Sequence, residues 1–372
     1  MDLKILWSNN QLTIQLLNYS INQSTKMKTA KELQIELDGK PVSLYTLFNK
    51  NGMSVDITNY GGKIIRLLAP DKNGKFEDVV LAFDTLEEVI EKEIYFGAIC
   101  GRFANRIKDG KFSLDAEDYQ LPVNNGTNSL HGGIHGYNEK AWEVKSVSQH
   151  ELVLTLFSAD GEEGYPGNLN ITATYFLSDE NEIKIHYEAT TDKPTIIGLT
   201  NHSYFNLKGA GNGTIRDHQL QINADYYTVL DESFALTGEI RPVDSTPFDF
   251  RKPTLVDERV DDDVFVPGWG LDNNWCIRKH YAGELALAGT VYEPVSGRKL
   301  EVLTTQPGLQ IYSGNWIENV IGKEGKIYNR QDAICLETQG FPNSPNIAHF
   351  PSPILRPDGK YDEWCVYKFS VE

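Results

Sequence analysis

ELVLTLFSADGEEGYPGNLNITATYFLSDENEIKIHYEAT, residues 151–190, decides the fold class. Its three runs ELVLTLF, NITATYFL and EIKIHYEAT alternate apolar and polar residues. That period of two places one side-chain set inward and the other outward, as half-buried strands require. Polar turn residues, among them Asp160-Gly161, separate the runs. Three short strands joined by turns predict antiparallel pairing. The same signal extends both ways. Upstream lie LQIELDG and VSLYTLF, split by the hairpin cue Asp38-Gly39, then MSVDITNYGG, DVVLAF and WEVKSVS. Downstream lie HQLQINA, KLEVLTTQPGLQIYSG and the closing WCVYKFSV. Helical signal is scarce. Asp84-x-x-Glu87 resembles a capping box, and LEEVIEKEI after it places Leu86, Ile90 and Ile94 along one side of a short surface helix. VDERVDDD (256–263) reads as a helix end or solvated loop, since it lacks the ligand alternation and central glycine of a calcium loop. The expected fold is all-β, a large antiparallel β-sandwich.

No fixed repeat and no Pro- or Ser-rich linker divides the chain, so residues 27–372 are expected to form a single domain. Residues 1–26 are polar, nearly uncharged and rich in Asn and Gln, and read as an N-terminal extension, either an added strand or a loose tail. The chain has 372 residues, with 35 Lys and Arg against 52 Asp and Glu, a formal net charge of -17. An acidic balance of this size argues against a nucleic-acid coat. No run approaches the roughly 18 apolar residues of a membrane span, and the first 25 residues lack the layout of a secretory signal. Cys100, Cys276, Cys335 and Cys365 are isolated, with no C-x-x-C pair, which suits small buried side chains better than a disulfide framework or a zinc site. The expected setting is cytoplasmic.

Charged groups inside Gly- and Asn-rich, weakly charged segments are costly unless paired or used. Five segments fit that description. GRFANRIKDG (101–110) offers Arg102, Asn105 and Arg106; a guanidinium beside a carboxamide suits polyol hydroxyls, or equally a structural arginine tied to carbonyls. NNGTNSLHGGIHGYNEKAW (124–142) offers His131 and His135. Their spacing hints at a metal pair, but glycines 132, 133 and 136 disfavour a helix and no third ligand is near in sequence. LTNHSYFNLKG (199–209) offers His202, a general acid by residue type, with Tyr204 and Phe205 as pocket wall or core. VPGWGLDNNWCIRK (266–279) offers Asp272, a hydroxyl acceptor or a turn cap. TTQPGLQIYSGNW and AICLETQGFPNSPN supply Gln310 and Glu337. Glu337 follows mainly apolar residues, and burial in a cleft would raise its pKa and make it a better base. P-loop, Rossmann, H-E-x-x-H and G-x-S-x-G motifs are absent from the sequence. The set fits polyol binding with acid–base chemistry that needs neither metal nor organic cofactor.

GRFANRI, SLHGG, LTNHSYFNL, TTQPGLQIYSGN and ETQ, in that order, resemble the aldose 1-epimerase (galactose mutarotase) family over roughly residues 40–371. The resemblance implies the large β-supersandwich of that family with an open cleft for a free hexose. It also implies Glu337 as general base, His202 as general acid and His131 assisting at the ring oxygen or neighbouring hydroxyls. Asn105, Arg106, Asp272 and Gln310 would hold the sugar, and Arg102 would be structural. No cofactor, nucleic acid or membrane partner is implied, and the expected state is a monomer or homodimer. The sequence departs from the family at Asn273-Asn274-Trp275, where His-Asn and an aromatic or apolar residue are usual, and at Pro342-Asn343, where Pro-Asp is usual. Three other readings compete. A non-catalytic carbohydrate-binding protein could dispense with Glu337 or His202. A hexose-6-phosphate 1-epimerase would need basic residues aimed at a dianion. A glycosidase would use Asp272 and Glu337 as its carboxylate pair.

Overall fold

The alternating runs of 151–190 pair as antiparallel neighbours. Glu151–Ser158 joins Leu169–Leu177, and Leu169–Leu177 joins Glu182–Thr191, in uninterrupted register. Their apolar sets, including Leu152, Leu154, Ile171, Ala173, Ile183 and Ile185, are all buried. The other set faces outward, mostly polar but including the exposed Phe157 and Phe176, so the period of two is realised as a one-sided sheet. The computed structural model describes residues 35–37, 39–92, 94–263 and 270–372. The expected extension over 1–26 lies outside the described residues.

These strands belong to a nine-stranded sheet that continues through Tyr361–Val371, Arg298–Thr304, Ala286–Glu293, Gln219–Ile222 and Thr254–Leu255, with Glu143–Val147 at the other edge. A six-stranded sheet runs Tyr204–Phe205, Ile334–Gln339, Gly308–Tyr312, Asp272–Ile277, Ala224–Leu230 and Leu236–Pro242. A four-stranded meander, Leu44–Phe48 to Phe76–Asp78, completes the large sheets. One apolar cluster draws on all three: Val55 and Ile64, Tyr175 and Val302, Trp275 and Leu336. The fold is thus all-β and sandwich-like, as expected. Among the described residues no helix is long and apolar enough to cross a membrane.

Two local readings shift. The capping box expected at Asp84 is displaced by one residue. Thr85 is the N-cap, its hydroxyl accepting from the Glu88 amide at 3.2 Å, and the helix spans Leu86–Glu91. The helix buries Leu86 and Val89. The acidic run 256–263 begins as the single 3₁₀ turn Val256–Glu258, and Arg216 holds its Asp257 and Asp261.

Candidate active site

The strand Ile334–Gln339 is buried on both faces. Leu336 enters the core, so the alternation turns Cys335 and Glu337 the other way. Gly308–Tyr312 does the same, sending Leu309 and Ile311 to the core and Gln310 to the far side. Glu337 lies opposite Gln310, and Gln310 opposite Asn274 on Asp272–Ile277. Tyr204 pairs with Cys335, and continuing that register brings His202 beside Glu337. The non-core face of the six-stranded sheet is therefore a polar floor backed by the hydrophobic core.

Two groups meet on that floor. His202 Nε2 lies 3.5 Å from Glu337 Oε1, with both side chains nearly inaccessible at 6% and 2%. No described cation touches Glu337, and its Oε2 has no hydrogen-bond partner; nor has His202 Nδ1. Burial pushes the Glu337 carboxyl well above its usual range, and the Asp272 carboxylate adds to the effect while Arg106 opposes it. Burial also draws His202 down to about 4. Both shifts favour neutral partners, because each group's charged form has lost its solvent. The His202 ring stacks on Tyr204 at 4.9 Å, which fixes its plane.

A second network holds the other polar groups. Arg106 donates from Nε to Asn125 Oδ1 at 3.0 Å and from Nη2 to Asp272 Oδ2 at 3.3 Å. Its guanidinium lies 5.5 Å from the Phe234 ring centre. Asp272 Oδ1 accepts from Gln310 Nε2 at 2.7 Å. Each carboxylate oxygen of Asp272 thus has one donor, and Arg106 is oriented from two sides. The loop carrying Arg106 is braced by Asn343, whose amide donates to the Arg106 carbonyl at 2.8 Å. The family departure at Pro342-Asn343 therefore falls behind the arginine, away from Glu337 and His202.

His131 joins this group. Its ring centre is 5.3 Å from that of His202, edge to face, and Tyr95 packs against it at 4.8 Å. The amide of Asn105 donates to His131 Nδ1 at 3.2 Å. Burial first, then the neighbouring His202 and Arg106, hold the His131 pKa well below 6.5. His131, His202 and Glu337 each offer a ligand atom within 4.8 Å of the others, a spacing within reach of a metal ion.

The structure thus brings together all seven residues singled out: Asn105, Arg106, His131, His202, Asp272, Gln310 and Glu337. It places others elsewhere. His135 is exposed and pairs with Glu139 at 3.0 Å, so the His131/His135 spacing makes no metal pair. Arg102 is buried among carbonyls, donating to Pro166 O at 2.8 Å and Gly167 O at 2.9 Å. Phe205 packs on Tyr367 in the core. Sequence reading missed Tyr95, Asn125 and Phe234. Tyr95 follows the short helix and carries no local chemical signal. It holds φ at +64°, a conformation bulky residues avoid. Asn125 reads as a turn residue in Asn-Gly, and Phe234 as an ordinary loop apolar.

Comparison with known proteins agrees with this architecture. The sequence profile of the family described as aldose 1-epimerase matches residues 43–368. Galactose mutarotase of Sus scrofa is 42% identical over 320 residues, covering 86% of this chain and 92% of that one. Aldose 1-epimerase of Escherichia coli (strain K12) is 34% identical over 338 residues, covering 90% and 97%. Among solved structures, an aldose epimerase homologue from C. elegans superposes with a TM-score of 0.83 at 33% identity, covering 89% of this chain and 99% of that one. Galactose 1-epimerase from Lactobacillus acidophilus gives 0.78 at 30% identity, covering 91% and 97%. With profile, sequence and fold in agreement over nearly the same span, the chain belongs to the aldose 1-epimerase family.

Proposed function

We propose that this protein interconverts the α and β anomers of a free hexose, with galactose and glucose as the first candidates, by general acid–base ring opening. The observation that carries the reading is the buried contact between His202 and Glu337 beside a fixed arginine–carboxylate–carboxamide network. In the reactive form the pair holds one proton, as imidazolium and carboxylate. Glu337 takes the proton of the C1 hydroxyl. The C1–O5 bond breaks with its electron pair passing to O5, and His202 protonates that oxygen. The open-chain aldehyde rotates about C1–C2, and the reverse transfers close the ring on the opposite face. Each placed proton transfer is worth about 10²- to 10⁴-fold.

Ring opening converts imidazolium and carboxylate into imidazole and carboxylic acid. Burial favours the neutral pair, so the desolvated floor favours the proton distribution that accompanies the open chain. Arg106, Asp272, Gln310 and Asn105 hold hydroxyls in this scheme. Two nearby cations that a sugar phosphate would need are already committed: Lys108 pairs with Asp231 at 2.7 Å, and Arg102 is buried among carbonyls. That favours a free hexose over a hexose 6-phosphate. The test is polarimetry on freshly dissolved α-galactose and α-glucose. Wild type accelerates equilibration and Glu337→Gln does not. Sugar binding without acceleration would instead mark a carbohydrate-binding protein.

A further inference from the structure

We infer that the backbone amide of Asn105 locks His131 into the tautomer protonated at Nε2, making it an obligate hydrogen-bond donor that can serve neither as a base nor as a metal ligand. A neutral imidazole carries one proton, and which nitrogen holds it is set by what the other nitrogen meets. His131 Nδ1 meets a donor, the Asn105 amide, at 3.2 Å. A proton on Nδ1 would face that amide proton head on. The lone pair must therefore be on Nδ1 and the proton on Nε2. Burial first, with the neighbouring His202 and Arg106, holds the His131 pKa well below 6.5, so both nitrogens are not protonated together near neutral pH.

The lock is built from both residues. The His131 amide returns a bond to the Asn105 carbonyl at 3.2 Å. Asn105 and His131 each adopt left-handed backbone, with φ of 62° and 52°. Asparagine tolerates that region well, and Asn105 Oδ1 tightens the turn by accepting from the Arg106 amide at 2.8 Å. The next residue, Gly132, has φ of +98°, and a Cβ there would lie 1.9 Å from the Gly101 carbonyl oxygen. The loop can approach the Asn105 segment this closely only as glycine. Asn105 is thus a positioning residue for His131, acting through its main chain.

Two consequences follow. With Nδ1 committed to the Asn105 amide, Nε2–H is the donor the ring offers to a ligand oxygen. On the epimerase reading, which the inference rests on only for this point, that oxygen belongs to the sugar. The metal-like spacing of His131, His202 and Glu337 is also disarmed. One His131 nitrogen is engaged by an amide and the other carries a proton, leaving a single imidazole and a carboxylate, too few for a tight site.

The lock is tested without substrate on the full chain labelled with ¹⁵N-histidine, by two-bond ¹H–¹⁵N correlation near neutral pH, with His131→Asn assigning the signal. The expected pattern is protonated Nε2 and bare Nδ1. Asn105→Gly keeps the amide and the left-handed backbone and should preserve the pattern. Asn105→Ala disfavours that backbone and should give mixed tautomers. An Nδ1–H tautomer or an imidazolium in wild type overturns the inference, as does a pattern unmoved in Asn105→Ala. In kinetics, His131→Gln places an amide donor near the former Nε2 and should stay within about ten-fold of wild-type kcat/KM, whereas His131→Asn should lose ~10²-fold. Equal losses would remove the donor role. Zn²⁺ titrated calorimetrically into the full chain should show no His131-dependent binding; binding abolished by His131→Asn would refute the lock. If wild type fails to accelerate mutarotation at all, the proposed function falls while the tautomer result stands on its own.

Discussion

Among the described residues, two of the places where histidine meets carboxylate behave as opposites. On the outer face of the nine-stranded sheet, His186 meets Asp362 at 2.8 Å and lies 3.9 Å from Glu188. Its ring lies flat on Trp364 at 4.0 Å, and Lys360 bridges Glu188 and Asp362. On the inner floor His202 faces Glu337, with no described cation in contact and two polar atoms unpartnered. The residue types match; the surroundings do not. Outside, water and lysine satisfy the carboxylates. Inside, both are withheld, and burial disfavours the charged form of each partner. Chemical poise here is a product of what the fold removes.

The contrast is broken most directly by Glu337→Gln. It should lower kcat for mutarotation by about 10²- to 10⁴-fold, read by polarimetry. The same variant should raise the melting temperature near neutral pH. The folded pKa of Glu337 lies above its unfolded value, so its contribution to stability is present at low pH and lost as pH rises through the folded pKa. Glutamine removes that penalty. A variant that is inactive and less stable would show that Glu337 is structurally paired after all.

Next in size is Asp272→Ala. It leaves Arg106 buried with Asn125 as its remaining side-chain acceptor, and breaking such a pair costs about 3–5 kcal/mol. Denaturant unfolding checks this, with KM for the sugar rising in parallel. Acid titration sharpens the comparison further. The folded pKa of His202, about 4, lies below the unfolded value near 6.5. Its stabilising contribution is therefore complete above about 6.5 and is lost as pH falls through about 4. The fall in melting temperature over that window should flatten in His202→Asn. The acid limb of the activity profile should lie in the same region. The smallest effect belongs outside: Asp362→Asn should change stability by only ~0–1 kcal/mol and leave kcat unaltered.

Much of this was legible in the sequence, for identifiable reasons. Strand alternation is local, so the sheets over 151–190 and 299–312 could be read directly. Glu337 was visible because a carboxylate among apolar residues in a strand is anomalous. The partners of Arg106 were not visible. Asp272 lies 166 residues away, and Phe234 reaches the guanidinium from a loop with no motif of its own. Asn125 stands in a dipeptide whose turn signal hides any other role. The displaced helix cap shows the same limit at short range, because Asp84 and Thr85 both carry a side-chain oxygen that could cap the helix.

The strand Ile334–Gln339 has one more implication. It shows its alternate residues to the hydrophobic interior and to the polar floor that carries Glu337, so the two cannot be tuned separately. Trimming Leu336, which is wholly buried in the core, would let the backbone settle and carry Glu337 with it. Substitutions deep behind the floor should thus surface as slower turnover as well as a lower melting temperature.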